Sequence, residues 1–479
     1  MTNQAQLIAY VDRLTGGGTF RHLAPLLDGP FKGAFGGVHL LPFFHPIDGA
    51  DAGFDPIDHA LVDPRLGTWA DVKALTARTA VMADLIANHV SRRSPQFEHY
   101  HQHGNSSPYA GMFLTYERVF PDGASEPQLR ALHTIRPTLP FTKHEMATGE
   151  PVVLWTTFTS EQIDIDVEHP VARRYLTAVL DRFQDAGITM IRLDAIAHAV
   201  KRAGTSCFMI PETFAFIASL TAEARSRGME VLVEVHGHHQ DQIAIARQVD
   251  RVYDFALAPL MLHALYRRDA THLKRWLEMR PQNAVTVLDT HDGIGVSDVG
   301  ERRGSSPAPG LLPTDEIEGL VETIHQRSGG ASRLASGSGA SNVDASQINC
   351  TFYDALGGRD DEYLIARAVQ CFVPGVPQVY YVGLLAGRND MDLLRRTGVG
   401  RDVNRRYYSP EDLRAGLARP VVRSLLELLR LRNAHPAFNG TFGLRSSAPD
   451  RLVLEWANGP ATARLDVDLA EMRSTMEAT

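Results

Sequence analysis

The sequence predicts a closed (β/α)8 barrel that carries two insertions and a small C-terminal β domain. Its 479 residues, 44% of them hydrophobic and 22% charged, are enough for one large α/β domain with insertions. Eight short runs rich in Val, Ile and Leu alternate with segments of helical periodicity. Strands that are apolar along their whole length are typical of a parallel sheet covered on both faces, and eight of them favour a closed barrel over an open sheet.

The eight predicted strands are short apolar runs bounded by polar residues. In chain order they are Gln6–Leu14, Gly37–Phe44, Val81–His89, Met190–Asp194, Glu230–His236, Val252–Phe255, Val285–Asp292 and Val376–Gly383. Between them, Ala172–Ala186 and Pro211–Arg227 have the apolar spacing of amphipathic helices. This alternation predicts right-handed crossovers and therefore a TIM-type barrel.

Uneven spacing between the strands predicts the additional parts of the chain. We expect the catalytic barrel at residues 1–89, 158–292 and 348–438, an inserted subdomain after strand three at 90–157, a second insertion after strand seven at 293–347, and a short C-terminal β domain at 439–479. The second insertion contains Ser328–Asn342, whose Gly, Ser and Ala content predicts a mobile loop rather than a packed element. Short alternating runs after Asn439 predict the C-terminal strands.

Charge and cysteine content exclude several classes of protein. With 48 basic against 56 acidic residues the net charge is −8, which provides no broad positive field for nucleic acid or anionic lipid. The cysteines Cys207, Cys350 and Cys371 are odd in number and lack C-x-x-C spacing, so neither a disulfide framework nor a thiolate metal site is expected. The N-terminus has no signal-peptide pattern, and no apolar stretch reaches membrane-spanning length. We expect a cytoplasmic protein that acts on small molecules, without nucleic-acid or membrane partners and with a homodimer as a candidate assembly.

Four of the predicted strands end in acidic and histidine side chains. Strand three ends in Asp84–His89, strand four in Arg192–Asp194, strand five in Glu234–His236 and strand seven in Asp289–Asp292. In a barrel of this type the carboxyl ends of the strands converge on one face, where catalytic groups lie. One acid at a strand end is often a helix N-cap or an ion-pair partner, but four such ends together predict a catalytic site.

Three of these acids, Asp194, Glu234 and Asp292, suit two kinds of chemistry. In glycosyl transfer, one carboxylate attacks the anomeric carbon and a second carboxylic acid protonates the leaving oxygen. Clusters of histidine and carboxylate at barrel mouths also bind divalent metal ions for hydrolysis. The spacing of the acids alone leaves both a glycosyl-transfer enzyme and a metal-dependent hydrolase open.

The same segments resemble a known family. Asp84–His89, Arg192–Asp194, Val233–Val235 and Thr290–Asp292 are similar, in order and in strand position, to the four sequence signatures of the α-amylase superfamily of retaining α-glucosidases and transglucosidases. Further segments resemble its sucrose phosphorylase branch, namely Leu41–Pro46, Asp48–Asp58, Ala203–Phe208, Arg251–Ala256 and Val376–Gly383. The resemblance extends from about Ile8 to about Gly443, which is most of the chain.

The resemblance implies a catalytic triad. It makes Asp194 the nucleophile that forms a covalent β-glucosyl enzyme, Glu234 the general acid and base, and Asp292 the carboxylate that holds the glucosyl hydroxyls. Arg192 lies two residues before Asp194, hence on the same strand face, where its charge favours the ionised nucleophile. No metal ion and no cofactor are expected. The alternative from a different class is an inactive sugar-binding relative.

The resemblance also implies a glucose site and an acceptor site. The expected substrate-binding residues are Asp51, Phe54, His89, Phe158, Arg192, His236, His291, Gln347 and Arg401. The expected acceptor and phosphate residues are Arg136, Lys143, His144, Asp344 and Ser346. Without the family resemblance, the histidines would be interpreted as hydrogen-bond donors to neighbouring groups, and the two phenylalanines as core residues.

The acceptor loop departs from the family pattern at Ser346, where the branch usually carries a tyrosine. A smaller side chain leaves more room, and nearby cations would suit a leaving group with its own phosphate. Those cations are Arg136, Lys143, His144, Lys201 and Arg202. We therefore expect reversible phosphorolysis of sucrose 6F-phosphate to α-glucose 1-phosphate and fructose 6-phosphate. Alternatives are sucrose, glucosylglycerol or glucosylglycerate as substrate, and amylase-like hydrolysis or transglucosylation as reaction.

Overall fold

Eight parallel strands close into a barrel in the computed structural model, which describes residues 3–49, 51–135, 138–302, 307–337 and 347–479. The barrel strands are β1 (Gln6–Ala9), β2 (Gly37–Leu40), β3 (Ala80–Ile86), β4 (Met190–Asp194), β5 (Glu230–Val233), β6 (Arg251–Asp254), β7 (Ala284–Thr286) and β8 (Val376–Tyr380). Each strand is hydrogen-bonded to its neighbour in the chain, and β8 closes the barrel on β1. The predicted (β/α)8 barrel is confirmed.

Most strands are shorter than the apolar runs that predicted them. The run Val285–Asp292 continues for six residues past the end of β7, and Val287 and Leu288 in it are only 2% and 1% exposed. In the run Gln6–Leu14, the last four residues form a helix. An apolar run therefore predicts burial here, because the loops that leave these strands are themselves covered and need apolar side chains.

Helices separate the strands and cover the barrel. In the described residues they are α1 (Val11–Leu14), α2 (Phe20–Asp28), α3 (Trp69–Thr76), α4 (Pro95–His103), α5 (Tyr116–Val119), α6 (Glu126–Ala131), α7 (Pro170–Asp185), α8 (Pro211–Ser226), α9 (His239–Ala246), α10 (Leu257–Arg267), α11 (Thr271–Met279), α12 (Thr314–Arg327), α13 (Ala331–Ser336), α14 (Phe352–Ala355), α15 (Asp360–Phe372), α16 (Tyr381–Leu384), α17 (Met391–Thr397), α18 (Pro410–Ala418) and α19 (Pro420–Ala434). The two helices predicted from periodicity are α7 and α8. Within the described ranges, no helix has the length and apolar character needed to cross a membrane.

Residue contacts divide the chain into two compact units. The first unit comprises Met1–His39, His236–Arg247 and Arg251–Thr479, and it contains β1, β6, β7 and β8. The second unit comprises Leu40–Val235 and Gln248–Asp250, and it contains β3, β4 and β5. Each unit carries its own set of the predicted site residues.

In the second unit, the long segment between β3 and β4 supplies most of a small apolar core, to which Cys207 also belongs. An antiparallel hairpin of Phe141–Glu145 and Pro151–Trp155 contributes to it, and Leu114, Phe120 and Trp155 are among its buried side chains. A short strand, His89–Ser91, pairs antiparallel with Gln162–Asp164 and so returns the chain to the end of β3. The predicted boundaries of an inserted subdomain stay a prediction.

In the first unit, the C-terminal residues form a four-stranded antiparallel sheet. Its strands are β9 (Thr441–Arg445), β10 (Arg451–Asn458), β11 (Ala461–Asp468) and β12 (Arg473–Ala478). Ala463, Leu465 and Val467 in β11 are buried while the residues between them are not, which is the alternation that the sequence predicted.

Candidate active site

The centre of the site in the second unit is the buried guanidinium of Arg192, which is 2% exposed. Its Nη1 donates to Asp84 Oδ1 at 2.5 Å and to Asp194 Oδ1 at 2.9 Å, and its Nη2 donates to Glu234 Oε1. The guanidinium also lies over the ring of Phe54, 5.4 Å from its centroid. One cation thus contacts three carboxylates.

Strand pairing explains how these residues meet. Arg192 in β4 is in register with Asp84 in β3, so two opposite charges face each other across neighbouring strands. Asp194 ends β4, and the next residue, Ala195, has a left-handed backbone with φ of 55°. Glu234 follows β5, and its Oε2 accepts from the Ala195 backbone N–H at 3.4 Å.

This arrangement brings two carboxylates with different partners to one guanidinium. In a retaining double displacement, the nucleophile and the acid/base are about 5 Å apart. Side chains that contact Nη1 and Nη2 of a single arginine are close enough for that separation. The Arg192 cluster, defined as Arg192, Asp84, Asp194 and Glu234, can therefore supply both a nucleophile and a proton donor.

His89 and two aromatic side chains lie beside this cluster. His89 Nε2 is 2.9 Å from the carbonyl oxygen of Phe54, and the His89 ring is 5.2 Å from the ring of Phe158. A ring nitrogen facing a carbonyl carries the proton, which leaves Nδ1 as an acceptor. Burial holds the pKa of His89 below its ordinary value, so the imidazole is neutral at neutral pH.

Asp51 lies on a short turn in the same unit. Its backbone N–H donates to Asp55 Oδ1 at 3.0 Å, and its carbonyl accepts from Phe54 N at 2.9 Å. The next residue, Ala52, has a left-handed φ of 47°. The turn therefore fixes Phe54, whose side chain is buried.

In the first unit, Asp292 is held between a histidine and two arginines. Its Oδ2 lies 3.2 Å from His291 Nε2, and its Oδ1 lies 3.0 Å from Arg401 and 3.8 Å from Arg405. Arg405, 1% exposed, also donates to the His291 carbonyl at 3.0 Å. The orientation of Asp292 is thus set by its neighbours.

His236 belongs to a chain of polar side chains in the same unit. Its Nδ1 lies 3.1 Å from the buried carboxylate of Asp298, and its Nε2 lies 3.2 Å from Gln347 Nε2. Because a carboxylate only accepts, Nδ1 carries the proton and Nε2 accepts from the Gln347 amide. Gln347 Oε1 in turn accepts from Arg401 at 3.4 Å. We call the series Asp298, His236, Gln347, Arg401 and Asp292 the polar chain.

The predicted acceptor cations have other partners. Lys201 is buried against Asp164 at 2.8 Å, and Arg202 pairs with Glu168 at 2.6 Å. His144 Nδ1 lies 2.7 Å from Arg92, and burial together with Arg92 and His101 lowers the pKa of His144 to about 4. Three of the five predicted acceptor cations therefore already contact neighbouring side chains of the protein.

The other predicted acceptor residues are either exposed or outside the described part of the chain. Lys143 is exposed on the strand Phe141–Glu145. Arg136, Asp344 and Ser346 lie outside the described residues.

Three residues of the site escaped sequence reasoning. Asp298 orients His236, Arg405 supports Asp292, and Asp164 holds Lys201. Arg405 follows the predicted site residue Arg401 by four residues, and this proximity in sequence could have identified it. Asp298 lies in the short 3₁₀ helix Ser297–Val299 and Asp164 in the short strand Gln162–Asp164; neither segment has a distinctive motif, so only the fold reveals these residues.

Comparisons with known proteins identify the family of the chain. The family model of the α-amylase catalytic domain matches residues 33–292. The chain is 56% identical to a sucrose phosphorylase of Agrobacterium vitis, with 100% of this chain and 98% of that protein covered. It is 48% identical to a sucrose phosphorylase of Bifidobacterium adolescentis, over 97% of this chain and 92% of that protein.

A solved structure gives the same result at the level of the fold. The crystal structure of sucrose 6F-phosphate phosphorylase from Thermoanaerobacter thermosaccharolyticum superposes with a TM-score of 0.92 at 37% identity, covering 100% of this chain and 96% of that one. The present chain belongs to the α-amylase family, and within it is a glycoside phosphorylase of the sucrose phosphorylase type.

Proposed function

We propose that the enzyme catalyses the reversible, retaining phosphorolysis of sucrose through a covalent β-glucosyl enzyme on Asp194. The observation that carries this proposal is the contact of one guanidinium, that of Arg192, with both Asp194 and Glu234. Inorganic phosphate is the second nucleophile, and α-glucose 1-phosphate and fructose are the products.

In the first half-reaction, an Asp194 carboxylate oxygen attacks the anomeric carbon of the glucosyl group. The bond from that carbon to the glycosidic oxygen breaks, and protonated Glu234 transfers its proton to the departing oxygen. Fructose leaves with that proton, and the configuration at the anomeric carbon is inverted. The Arg192 charge stabilises the carboxylates as negative charge moves between them.

In the second half-reaction, a phosphate oxygen attacks the same carbon from the opposite face. Glu234, now a carboxylate, accepts the proton of the attacking phosphate, and the ester bond to Asp194 breaks. A second inversion restores the α configuration, so the product is α-glucose 1-phosphate. Both half-reactions use the same two carboxylates.

We propose that His89, Phe54 and Phe158 form the wall around the glucosyl group. Neutral His89 adds an uncharged ring beside Phe158, and an aromatic face suits the C–H face of a hexose. Asp292 is proposed as the carboxylate that holds glucosyl hydroxyls, with His291 and Arg401 beside it. The role of Asp292 rests on its sequence signature.

Fructose is proposed as the leaving group because three of the five predicted phosphate-binding cations have other partners. Lys201 and Arg202 pair with carboxylates, and His144 is held neutral. The two relatives named sucrose phosphorylase point the same way. The second candidate substrate is sucrose 6F-phosphate, favoured by Ser346 in place of the usual tyrosine and by the solved relative that acts on this ester.

The test is synthesis from α-glucose 1-phosphate with fructose and fructose 6-phosphate as parallel acceptors. A higher kcat/KM for fructose supports sucrose as the substrate. A higher kcat/KM for fructose 6-phosphate shows instead that the substrate is sucrose 6F-phosphate. In the second case, Arg136→Gln, Lys143→Gln and His144→Gln, made singly, identify the group that binds the acceptor phosphate.

Two controls test the reaction class. Equal consumption of sucrose in phosphate-free buffer would make the enzyme a hydrolase or transglucosidase. Loss of activity with a chelator would instead support the metal-dependent alternative.

A further inference from the structure

Lys201 is a fully buried lysine in the loop after β4, seven residues beyond Asp194. Its Nζ lies 2.8 Å from Asp164 Oδ2 and donates to Asn88 Oδ1 at 3.0 Å and to the His198 carbonyl. An ammonium has three N–H donors. Each donor of Lys201 therefore has a partner on a different segment of the chain.

Asp164, the acidic partner, is also fully buried and makes its own contacts. Oδ1 accepts from the backbone N–H of Thr157 at 2.9 Å, and Oδ2 accepts from the Thr157 hydroxyl at 2.5 Å. The backbone of Asp164 pairs with His89 in the antiparallel bridge beside β3. Asp164 thus contacts the Thr157 segment through its carboxylate and the strand that carries His89 through its backbone.

The partners of this ion pair are neighbours of the proposed glucosyl wall. Asn88 precedes His89, and Thr157 precedes Phe158. The ring of His198 packs against that of Phe158 at 5.7 Å. Segments near positions 88, 157 and 198 are therefore joined at one buried point.

Stability alone does not account for such a pair. Removing an ammonium and a carboxylate from water costs free energy that a buried ion pair often fails to recover, and apolar replacements are often neutral or stabilising. The pair in this chain is 1% and 0% exposed. Its position between three site-bearing segments indicates a role in geometry.

We propose that Lys201 and Asp164 are a positioning pair that holds His89 and Phe158 in place around the glucosyl group. The inference rests on the proposed function for the roles of those two side chains. Neither Lys201 nor Asp164 touches the substrate. Both act through the backbone and side-chain contacts of Asn88, Thr157 and His198.

The experiment compares Lys201→Met with the double variant Lys201→Met/Asp164→Asn. The single variant leaves a buried carboxylate without its cation, so its thermal midpoint falls; the double variant removes both charges and recovers part of that loss. In both variants the KM for sucrose and the KM for α-glucose 1-phosphate rise about tenfold, because the loss of the three contacts of the Lys201 ammonium loosens the shared glucosyl wall.

Arg280→Met is the matched control. Arg280 is a fully buried cation that pairs with buried Asp254 at 2.6 Å and donates to the Pro374 carbonyl, and neither partner is a proposed glucosyl wall residue. This variant should lower the thermal midpoint and leave both KM values unchanged. Thr157→Val, which removes only the hydroxyl bonded to Asp164, gives a milder version of the KM effect in a protein that folds.

Two results would overturn the inference. Wild-type KM values in the double variant would show that Lys201 and Asp164 contribute only to stability. An equal rise of KM in Arg280→Met would show that the KM follows stability. Failure of the wild-type enzyme to use phosphate would contradict the proposed function instead, so the two failures are distinguishable.

Discussion

The Arg192 cluster and the polar chain are built in different ways. In the cluster, Asp84, Arg192 and Asp194 lie on neighbouring strands, and one guanidinium bonds three carboxylates. The polar chain comes from connecting segments outside the barrel strands, namely turns, short 3₁₀ helices and a two-residue strand, and each of its members donates to or accepts from the next. Charges held on barrel strands suit the two carboxylates that both proposed half-reactions use. A hydrogen-bond chain on connecting segments suits a site that receives first a sugar and then phosphate.

Replacement of the nucleophile should have the largest effect. We expect Asp194→Asn to lower kcat for phosphorolysis by at least about 10³-fold, because an amide cannot form the glucosyl ester. Release of fructose from sucrose, followed over hours, measures it. Retained turnover would remove Asp194 from the mechanism.

Substrates with different leaving groups distinguish the role of the acid/base Glu234 from that of the nucleophile Asp194. We expect Glu234→Gln to abolish turnover of sucrose but to retain a burst of fluoride release from α-glucosyl fluoride, because fluoride needs no proton to depart. Rapid-mixing measurement of fluoride tests this. If the burst disappears as well, Glu234 has a role beyond proton transfer.

The shared cation comes next in expected effect. Arg192→Lys offers one ammonium where a planar guanidinium reaches three carboxylates, so kcat should fall about 100-fold in both directions. Initial rates of phosphorolysis and of synthesis measure it. A loss confined to one direction would contradict the view that both half-reactions use the same cluster.

A substitution in the polar chain should have a smaller effect on activity, limited to the reaction with phosphate. In Asp298→Asn the carboxylate that fixes the protonated nitrogen of His236 is lost, and kcat/KM for phosphate should fall about tenfold. The burst of fluoride release should stay close to that of the wild type. A slower burst would show that the polar chain also serves the glucosyl-forming step.

His144 should have the smallest effect on catalysis and a measurable one on acid stability. Its pKa is about 4 in the folded chain against an ordinary value of 6.5, so the unfolded chain binds more protons between these values. The contribution of His144 to stability is therefore present above pH 6.5 and falls as the pH drops toward 4. We expect His144→Gln to flatten this decline in the thermal midpoint between pH 6.5 and 4, with kcat unchanged at pH 7. Identical slopes would show that His144 is not held neutral.

Much of the fold could be predicted because the barrel repeats one local rule eight times. Apolar runs such as Met190–Asp194 and helices such as α7 and α8 need only local periodicity to be recognised. Strand ends were predicted less well. Val287 and Leu288 were included in a predicted strand because buried loops and buried strands need the same apolar side chains.

The sequence by itself determined the barrel and the identity of the acids and histidines at its strand ends, since these follow from periodicity and from family signatures around Asp194, Glu234 and Asp292. Only the tertiary structure decided which charges are already paired. Lys201 reads as a free cation in the sequence, yet it is buried against Asp164, 37 positions earlier in the chain. Electrostatic partners are set by distance in space, which a pattern along the chain does not encode.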